Sequence, residues 1–178
     1  MTTKTKIMDE AAVCRVMARI THEVIERNQG VEDLCVLGVR RRGVPLSRML
    51  CDNILRFEGV EVPCGVLDAT SHRDDLPPEA REAGTDKSEI PCDINGRRVL
   101  IVDDVIYTGR TARAAIETVF SFGRPKSLQL VTLIDRGHRE LPIRPDYVGK
   151  NLPTSHSERV RVMLRELDGE CGVYICTL

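Results

Sequence analysis

Two adjacent carboxylates, Asp103 and Asp104, stand in the middle of RVLIVDDVIYTGRT, Arg98 to Thr111. Thr108, Gly109, Arg110 and Thr111 follow, and then a segment with helical character, Ala112 to Phe122. Backbone N–H groups at a helix start lack intrahelical partners and lie at the positive end of the dipole, so a phosphate binds there readily. Gly109 lets the backbone approach closely, and Thr108 and Thr111 add hydroxyl donors. The acidic pair can accept hydrogen bonds from sugar hydroxyls. The stretch therefore reads as a phosphate site with a polyol clamp beside it. One aspartate could serve simply as a helix cap. Two side by side, with no Lys or Arg after them until Arg110, repel each other, which favours a functional role.

The elements that position this chemistry follow from the flanking patterns. Val99 to Val102 is an apolar, β-branched run suited to a strand buried on both faces of a parallel sheet. Asp33 to Val39 reads as the first core strand and runs into Arg40-Arg41-Arg42-Gly43, ahead of an amphipathic helix to about Phe57. Arginines at the C-terminal end of a strand, before a glycine and a helix start, occupy the place where doubly wound folds bind anions. Glu61–Leu67, Ser127–Ile134, Asp146–Val148, Val160–Leu164 and Val173–Cys176 supply further strands. Between Asp9 and Asn28, Val13, Val16, Met17, Ile20, Val24 and Ile25 repeat at helical spacing, with Asp9 as N-cap. Arg19 and His22 share the face opposite most of that stripe. From Thr70 to Ile90 the chain is almost wholly polar apart from Leu76, too poor in apolar groups to bury itself, and reads as a mobile loop. The expectation is an α/β fold in one domain, residues 1–178, with a central mostly parallel sheet flanked by helices and a flexible loop at about 70–90.

With 3% aromatic residues and no tryptophan, the core must be aliphatic. A net charge of −1 argues against a protein that coats nucleic acid, yet leaves room for the local basic patch that specific RNA recognition needs. The seven cysteines (Cys14, Cys35, Cys51, Cys64, Cys92, Cys171 and Cys176) are odd in number and contain no C-x-x-C. They read as buried free thiols of a reducing compartment. The N-terminus lacks an apolar signal region and no run reaches membrane-spanning length, so a cytoplasmic location with no membrane partner is expected. A Rossmann dehydrogenase is disfavoured because no G-x-G-x-x-G follows the first strand.

VLIVDDVIYTGRT resembles the signature that type I phosphoribosyltransferases use for phosphoribosyl pyrophosphate (PRPP). DRGHRELPIRPDYVGKNLPTS, Asp135 to Ser155, and RDDL, Arg73 to Leu76, narrow the resemblance to the PyrR family of pyrimidine operon attenuation regulators that are also uracil phosphoribosyltransferases. The likeness runs from about Asp9 to Tyr174. It implies the type I phosphoribosyltransferase fold, with a small hood and a loop that closes over PRPP. It further implies transfer of ribose 5-phosphate from PRPP to uracil, giving UMP and pyrophosphate.

On that resemblance Tyr107, Thr108, Gly109, Arg110 and Thr111 hold PRPP or UMP, and Arg40, Arg41, Arg42 and Gly43 form the pyrophosphate loop. Asp103, Asp104, Arg73 and Asp74 take part in catalysis. Mg²⁺ arrives on PRPP rather than in a protein cage, meeting Asp103 and Asp104 through water. Asp135, Arg136, Gly137 and Val160 are placed near the uracil. Arg19, His22, Arg41, His138, Arg139 and Arg144 are candidates for an mRNA leader, with UMP favouring binding and a homodimer or larger homo-oligomer pairing the surfaces. No DNA partner is expected. The chain departs from the family at Arg41, where Thr is usual, at His72, where Tyr is usual, and at Ala18, where Thr occurs. Purine-salvage enzymes carry Asp where Tyr107 stands and Lys where Asp135 stands. A phenol is no carboxylate base and a carboxylate repels a 6-oxo group, so uracil is preferred over hypoxanthine and guanine. Two alternatives stay open: an RNA regulator with vestigial catalysis, and a purine phosphoribosyltransferase.

Overall fold

Aliphatic runs build the centre of the protein. In the computed structural model, which describes residues 4–75, 77, 79 and 87–177, five strands form a parallel sheet. They are β2 (Leu34–Val39), β3 (Cys64–Leu67), β4 (Arg98–Ile106), β5 (Ser127–Asp135) and β6 (Tyr147–Asn151), ordered β3-β2-β4-β5-β6. Successive side chains point to opposite faces, so each strand feeds two hydrophobic layers. Val36, Leu100, Val102 and Val131 pack on one face with α1 (Glu10–Asn28) and α2 (Gly43–Glu58). Leu37, Val99 and Ile101 pack on the other with Ala112, Ala115 and Val119 of α3 (Arg110–Phe122). Being covered on both faces is what makes β2 and the first part of β4 uniformly apolar.

Helix ends follow their sequence signals. The Ala12 N–H donates to Asp9 Oδ1 at 2.7 Å, and α1 stops at Gln29 in the left-handed region, φ 55°. Buried Asn28 donates from Nδ2 to Val24 O and Gln129 Oε1, tying the end of α1 to β5.

A second sheet, antiparallel and ordered β1-β8-β7, forms a hood over one end of the first. It comprises β1 (Lys4–Asp9), β7 (Glu158–Met163) and β8 (Gly172–Thr177), with the single-turn α4 (Arg165–Asp168) between the last two. β1 and α4 were not expected from the sequence. The three later strands form close to the expected spans, shifted by one to three residues. β3 is shorter than Glu61–Leu67: Pro63, which has no N–H to give to a ladder, stands immediately before it, and only its carbonyl takes part, accepting from Val36 N–H.

All seven cysteines are free, but only Cys35 is fully buried. Cys14, expected inside, is exposed: it lies about 100° around α1 from the buried stripe of Val13, Met17, Ile20 and Val24. The expected mobile loop begins as a short 3₁₀ turn, Thr70–His72, and ends where Glu89 bridges Val66. Leu76 and residues 78 and 80–86 of it lie outside the described residues. No helix among the described residues is long and apolar enough to cross a membrane.

Candidate active site

The order β3-β2-β4-β5-β6 reverses direction between β2 and β4, and the crevice outside the carboxyl ends of two such strands is where open parallel sheets bind ligands. Here β2 pairs with β4 only as far as Gly38 opposite Val102, whereas β4 and β5 pair on to Ile106 opposite Asp135. Asp103 and Asp104 therefore belong to β4 but lie beyond its β2 neighbour, open to the crevice. The chain leaving β2 is pulled against them by Gly43, where a Cβ would come within 2.2 Å of Val102 O and 3.3 Å of Asp103 Cα. Only glycine permits that approach.

Two adjoining cavities share Arg73, Asp103, Val105 and Thr111 in their walls, one of about 430 Å³ over the start of α3 and one of about 550 Å³ under the arginine loop. Asp103 faces both and Asp104 faces the second. Burial, and then the neighbouring Asp104 charge, push the Asp103 carboxyl well above its ordinary range. Burial raises Asp104 as well, partly offset by hydrogen bonding to Asp103 and to the Val105 N–H. Asp103 Oδ1 accepts from the Asp104 N–H at 2.9 Å. Neither carboxylate has an ion-pair partner among the described residues. Such a pair is poised to receive a cation or hydroxyl donors.

On one side stands the phosphate cradle. Gly109, at φ 94°, turns the chain into α3, and Thr108 Oγ1 lies 3.4 Å from the Arg110 N–H. The Thr108 carbonyl accepts from the N–H groups of Glu140 and Leu141 at 3.0 and 3.1 Å, so the segment after β5 clasps the turn. Arg110 reaches outward, donating to Glu140 at 2.7 Å and to Asp74 at 2.7 Å. Arg73 makes a two-pronged pair with Asp75, and it also faces Asp103 closely enough for the charges to interact. Arg113, which the sequence did not single out, donates to the carbonyl of His72 at 2.8 Å. His72 Nδ1 is 3.6 Å from Glu117. The start of the loop is thus held against α3 by Arg110, Arg113 and Glu117.

On the other side the three arginines diverge. Arg41 is exposed and lines the second cavity. Arg40 donates to Lys87 O at 3.1 Å. Arg42 also borders the cavity, but its guanidinium is committed to the hood, donating to Val162 O at 2.6 Å and to Asp168 at 2.7 Å.

Beyond β5, Arg139 bonds to Asp135, Ile143 O and Tyr107 O. Burial raises the Asp135 carboxyl, but Arg139 and the Gly137 N–H outweigh it and hold that carboxyl below its ordinary range. Buried Arg136 donates to Thr154 Oγ1 and Glu158 O and lies 4.1 Å from the centre of the Tyr107 ring. His138 donates from Nε2 to Thr154 O at 2.6 Å and packs 4.5 Å from His156. His156 in turn sits 3.3 Å from the Tyr107 hydroxyl. It was missed because the polar segment around it has no periodicity, and only contacts between distant segments, such as Arg136 donating to Glu158 O, bring it to Tyr107. Val160 lies half-buried on β7 against the core. Gly137, at φ 75°, turns the chain out of β5 and is exposed.

The RNA candidates meet different parts of the fold. Arg19 donates to the carbonyls of Val148 and Gly149, His22 stacks on Phe57 at 4.2 Å, and Arg144 is exposed. Arg139, with its five donors largely taken up inside the fold, is not free to meet a partner. Among the described residues no group of three or more His, Cys, Asp or Glu is placed to hold a metal.

A switch-point crevice with an acidic pair between a phosphate cradle and a basic loop defines a class, and the comparison with family models agrees. Residues 4–163 match the phosphoribosyl transferase domain, so the chain belongs to the phosphoribosyltransferase family. Within it the chain is a member of the PyrR family. It is 53% identical over 168 residues to "Bifunctional protein PyrR" of Thermoanaerobacter sp. (strain X514), covering 94% of each chain. It is 52% identical over 166 residues to the protein of that name from Deinococcus radiodurans, covering 93% of this chain and 91% of the relative. Among solved structures it superposes on a hypoxanthine phosphoribosyltransferase of Staphylococcus aureus with a TM-score of 0.71 at 22% identity, covering 98% and 92% of the two chains. A hypoxanthine phosphoribosyltransferase of Trypanosoma cruzi gives 0.73 at 19% identity, covering 97% and 95%. These likenesses establish the type I phosphoribosyltransferase fold.

Proposed function

We propose that the protein transfers ribose 5-phosphate from PRPP to uracil, releasing pyrophosphate and forming UMP, and that it regulates pyrimidine genes by UMP-dependent binding to an mRNA leader. The observation that carries the enzymatic reading is the unpaired Asp103–Asp104 couple set between the cradle and the arginine loop. The N–H groups and hydroxyls of Thr108 to Thr111 hold the 5-phosphate. Asp103 and Asp104 accept hydrogen bonds from the ribose hydroxyls and set negative charge beneath the ring, where positive charge develops as pyrophosphate departs. Arg41 and the backbone of the loop before Gly43 meet the departing pyrophosphate, and Arg73, already facing Asp103, closes the site from the lid side. A closed site keeps water from the reacting ribose. Mg²⁺ carried by PRPP would supply charge neutralisation on the leaving group, and the acidic pair, without an ion-pair partner among the described residues, is the part of the cavity fitted to meet it.

Uracil fits the remaining wall. Tyr107 stands where purine enzymes use a carboxylate, and Asp135 is neutralised by Arg139 rather than offering a cation to a 6-oxo group. The regulatory reading rests on family membership and on Arg41, which is exposed while lining the cavity that nucleotide would occupy. The double variant Asp103→Asn, Asp104→Asn tests the site. UMP formation should fall by about three orders of magnitude, as loss of electrostatic stabilisation at a reacting centre commonly does, with unchanged far-UV circular dichroism. Retained turnover in a folded variant removes the ribose-clamp assignment.

A further inference from the structure

Arg40, Arg41, Arg42, Arg73 and Lys87 border the cavity under the arginine loop, and they differ in how free they are to meet a ligand. Arg42 is held by the hood through Val162 O and Asp168, and Arg73 is paired with Asp75. Arg40 turns one guanidinium N–H to the Lys87 carbonyl. Arg41 and Lys87 are both exposed, and neither side chain has a hydrogen-bond or ion-pair partner among the described residues. The reaction as proposed uses Arg41. Lys87, at the far end of the polar loop, has no part in it.

The backbone that carries Lys87 is fixed against the site. Val66 and Glu89 exchange both backbone hydrogen bonds, at 3.0 and 2.8 Å, which makes them an antiparallel pair beside β3. Two residues further along each strand, that register brings Lys87 to the level of Asp68, in the wall of the same cavity. The Asp68 N–H donates to Ser88 Oγ at 2.8 Å, and Arg40 Nη1 donates to Lys87 O at 3.1 Å. Asp68 does not take the lysine: its Oδ1 accepts from the Thr70 N–H at 3.1 Å and from the Thr70 hydroxyl at 2.6 Å. An anchored main chain thus presents a flexible stem whose compact ammonium carries three N–H donors.

Asp103 and Asp104 stand in the wall of this cavity too, and they repel a polyanion unless cations offset them. From this arrangement we infer that Lys87 is a second pyrophosphate-binding residue, its ammonium joining Arg41 on the phosphates of PRPP that leave the ribose. The inference rests on the transfer reaction proposed above and extends it to a residue outside both the signature stretch and the arginine loop. Negative charge grows on the departing oxygen as its bond to the ribose carbon breaks, so a cation there eases the step as well as holding the substrate. Arg41 comes from the end of β2 and Lys87 from the bridge beside β3, so the group is gripped from two segments. The ribose 5-phosphate is left to the cradle at the start of α3.

The test compares inhibition of UMP formation in the full-length parent, Lys87→Met and Lys87→Arg, with PRPP varied at fixed uracil and Mg²⁺. Magnesium pyrophosphate and ribose 5-phosphate are the two inhibitors. Methionine keeps the apolar stem and removes the charge. In Lys87→Met, inhibition by pyrophosphate should weaken about tenfold and kcat/KM for PRPP should fall by about the same factor, the loss usual for one charge-assisted contact. Inhibition by ribose 5-phosphate should match that of the parent, and Lys87→Arg should recover most of the pyrophosphate effect. Unchanged pyrophosphate inhibition in Lys87→Met overturns the inference. Equal weakening of both inhibitors overturns it as well, since that marks a loss of structure rather than of one contact. A parent that makes no UMP from PRPP would instead remove the transfer reaction, and this inference with it.

Discussion

Replacing Asp103 by Asn should make the unliganded protein more stable while abolishing its reaction. Burial and the Asp104 charge raise the folded-state pKa of Asp103 above its unfolded value of 3.8. The sign of the linkage follows. Below about pH 3.8 the carboxyl is protonated in both states and costs nothing. As pH rises from there towards the folded pKa, the unfolded chain releases a proton that the folded carboxyl keeps, so stability is lost, and above the folded pKa the loss is complete. Asn removes the titration, and its amide oxygen can still accept from the Asp104 N–H that Asp103 Oδ1 now receives at 2.9 Å. The gain at pH 7.5 should be about 1 kcal/mol, typical of relieving one strained functional group. For a chain of this length it corresponds to a rise in Tm of about 2–4 °C. Thermal unfolding of both proteins from pH 4 to 8 without ligand isolates the effect in the difference curve, because every other carboxylate titrates in both. The difference should be near zero at pH 4 and grow as pH rises towards the folded pKa, while UMP formation falls at least a hundredfold. A variant that is less stable than the parent at pH 7.5, or equally stabilised at every pH, would refute the claim that an unpaired, poorly solvated carboxylate sits at this point.

Arg42 should behave as a structural residue despite its place in the arginine loop: Arg42→Ala should cost about 2 kcal/mol in urea unfolding, since it strands a half-buried Asp168 and the Val162 carbonyl. Combined with Asp168→Ala, the losses should be clearly less than additive, as for two partners of one contact. On the regulatory side, Arg41→Ala should weaken leader-RNA binding about tenfold in a filter-binding assay, within the range for one lost side-chain contact. Arg139→Ala should instead lower stability by about 2–3 kcal/mol through Asp135 and the Tyr107 and Ile143 carbonyls it releases, a loss read in thermal unfolding.

What was legible in the sequence divides along the range of the interactions. The run Val99–Val102 and the acidic pair after it are local signals, and both the strand and the opening beyond β2 follow from them. The Asp9 cap and the stripe from Val13 to Val24 located α1 to within a residue for the same reason. β1 was invisible because KTKIMD has no strong alternation and its partner, β8, lies at the other end of the chain. Arginine side chains were the least readable of all. Arg40, Arg41 and Arg42 are adjacent in sequence, yet one serves the lid side, one stays open and one braces the hood, because a long flexible cation goes where carbonyls and carboxylates from distant elements happen to lie. Arg139 likewise read as a candidate for RNA, and its acceptors are set by the fold of the segment after β5. His156 became part of the Tyr107 wall only through contacts between distant segments, with Arg136, just after β5, donating to Glu158 O at the start of β7.

The central claim is tested most directly by measuring nucleotide formation from PRPP and Mg²⁺ with uracil, hypoxanthine and guanine in parallel, each at the same concentration. The account predicts UMP as the dominant product, with the purine nucleotides at least a hundredfold slower, because a phenol, Tyr107, stands where a purine enzyme uses its carboxylate base, and a carboxylate, Asp135 paired with Arg139, stands where it uses a cation. Comparable turnover of hypoxanthine or guanine would contradict it, as would a folded protein that binds PRPP and makes no UMP.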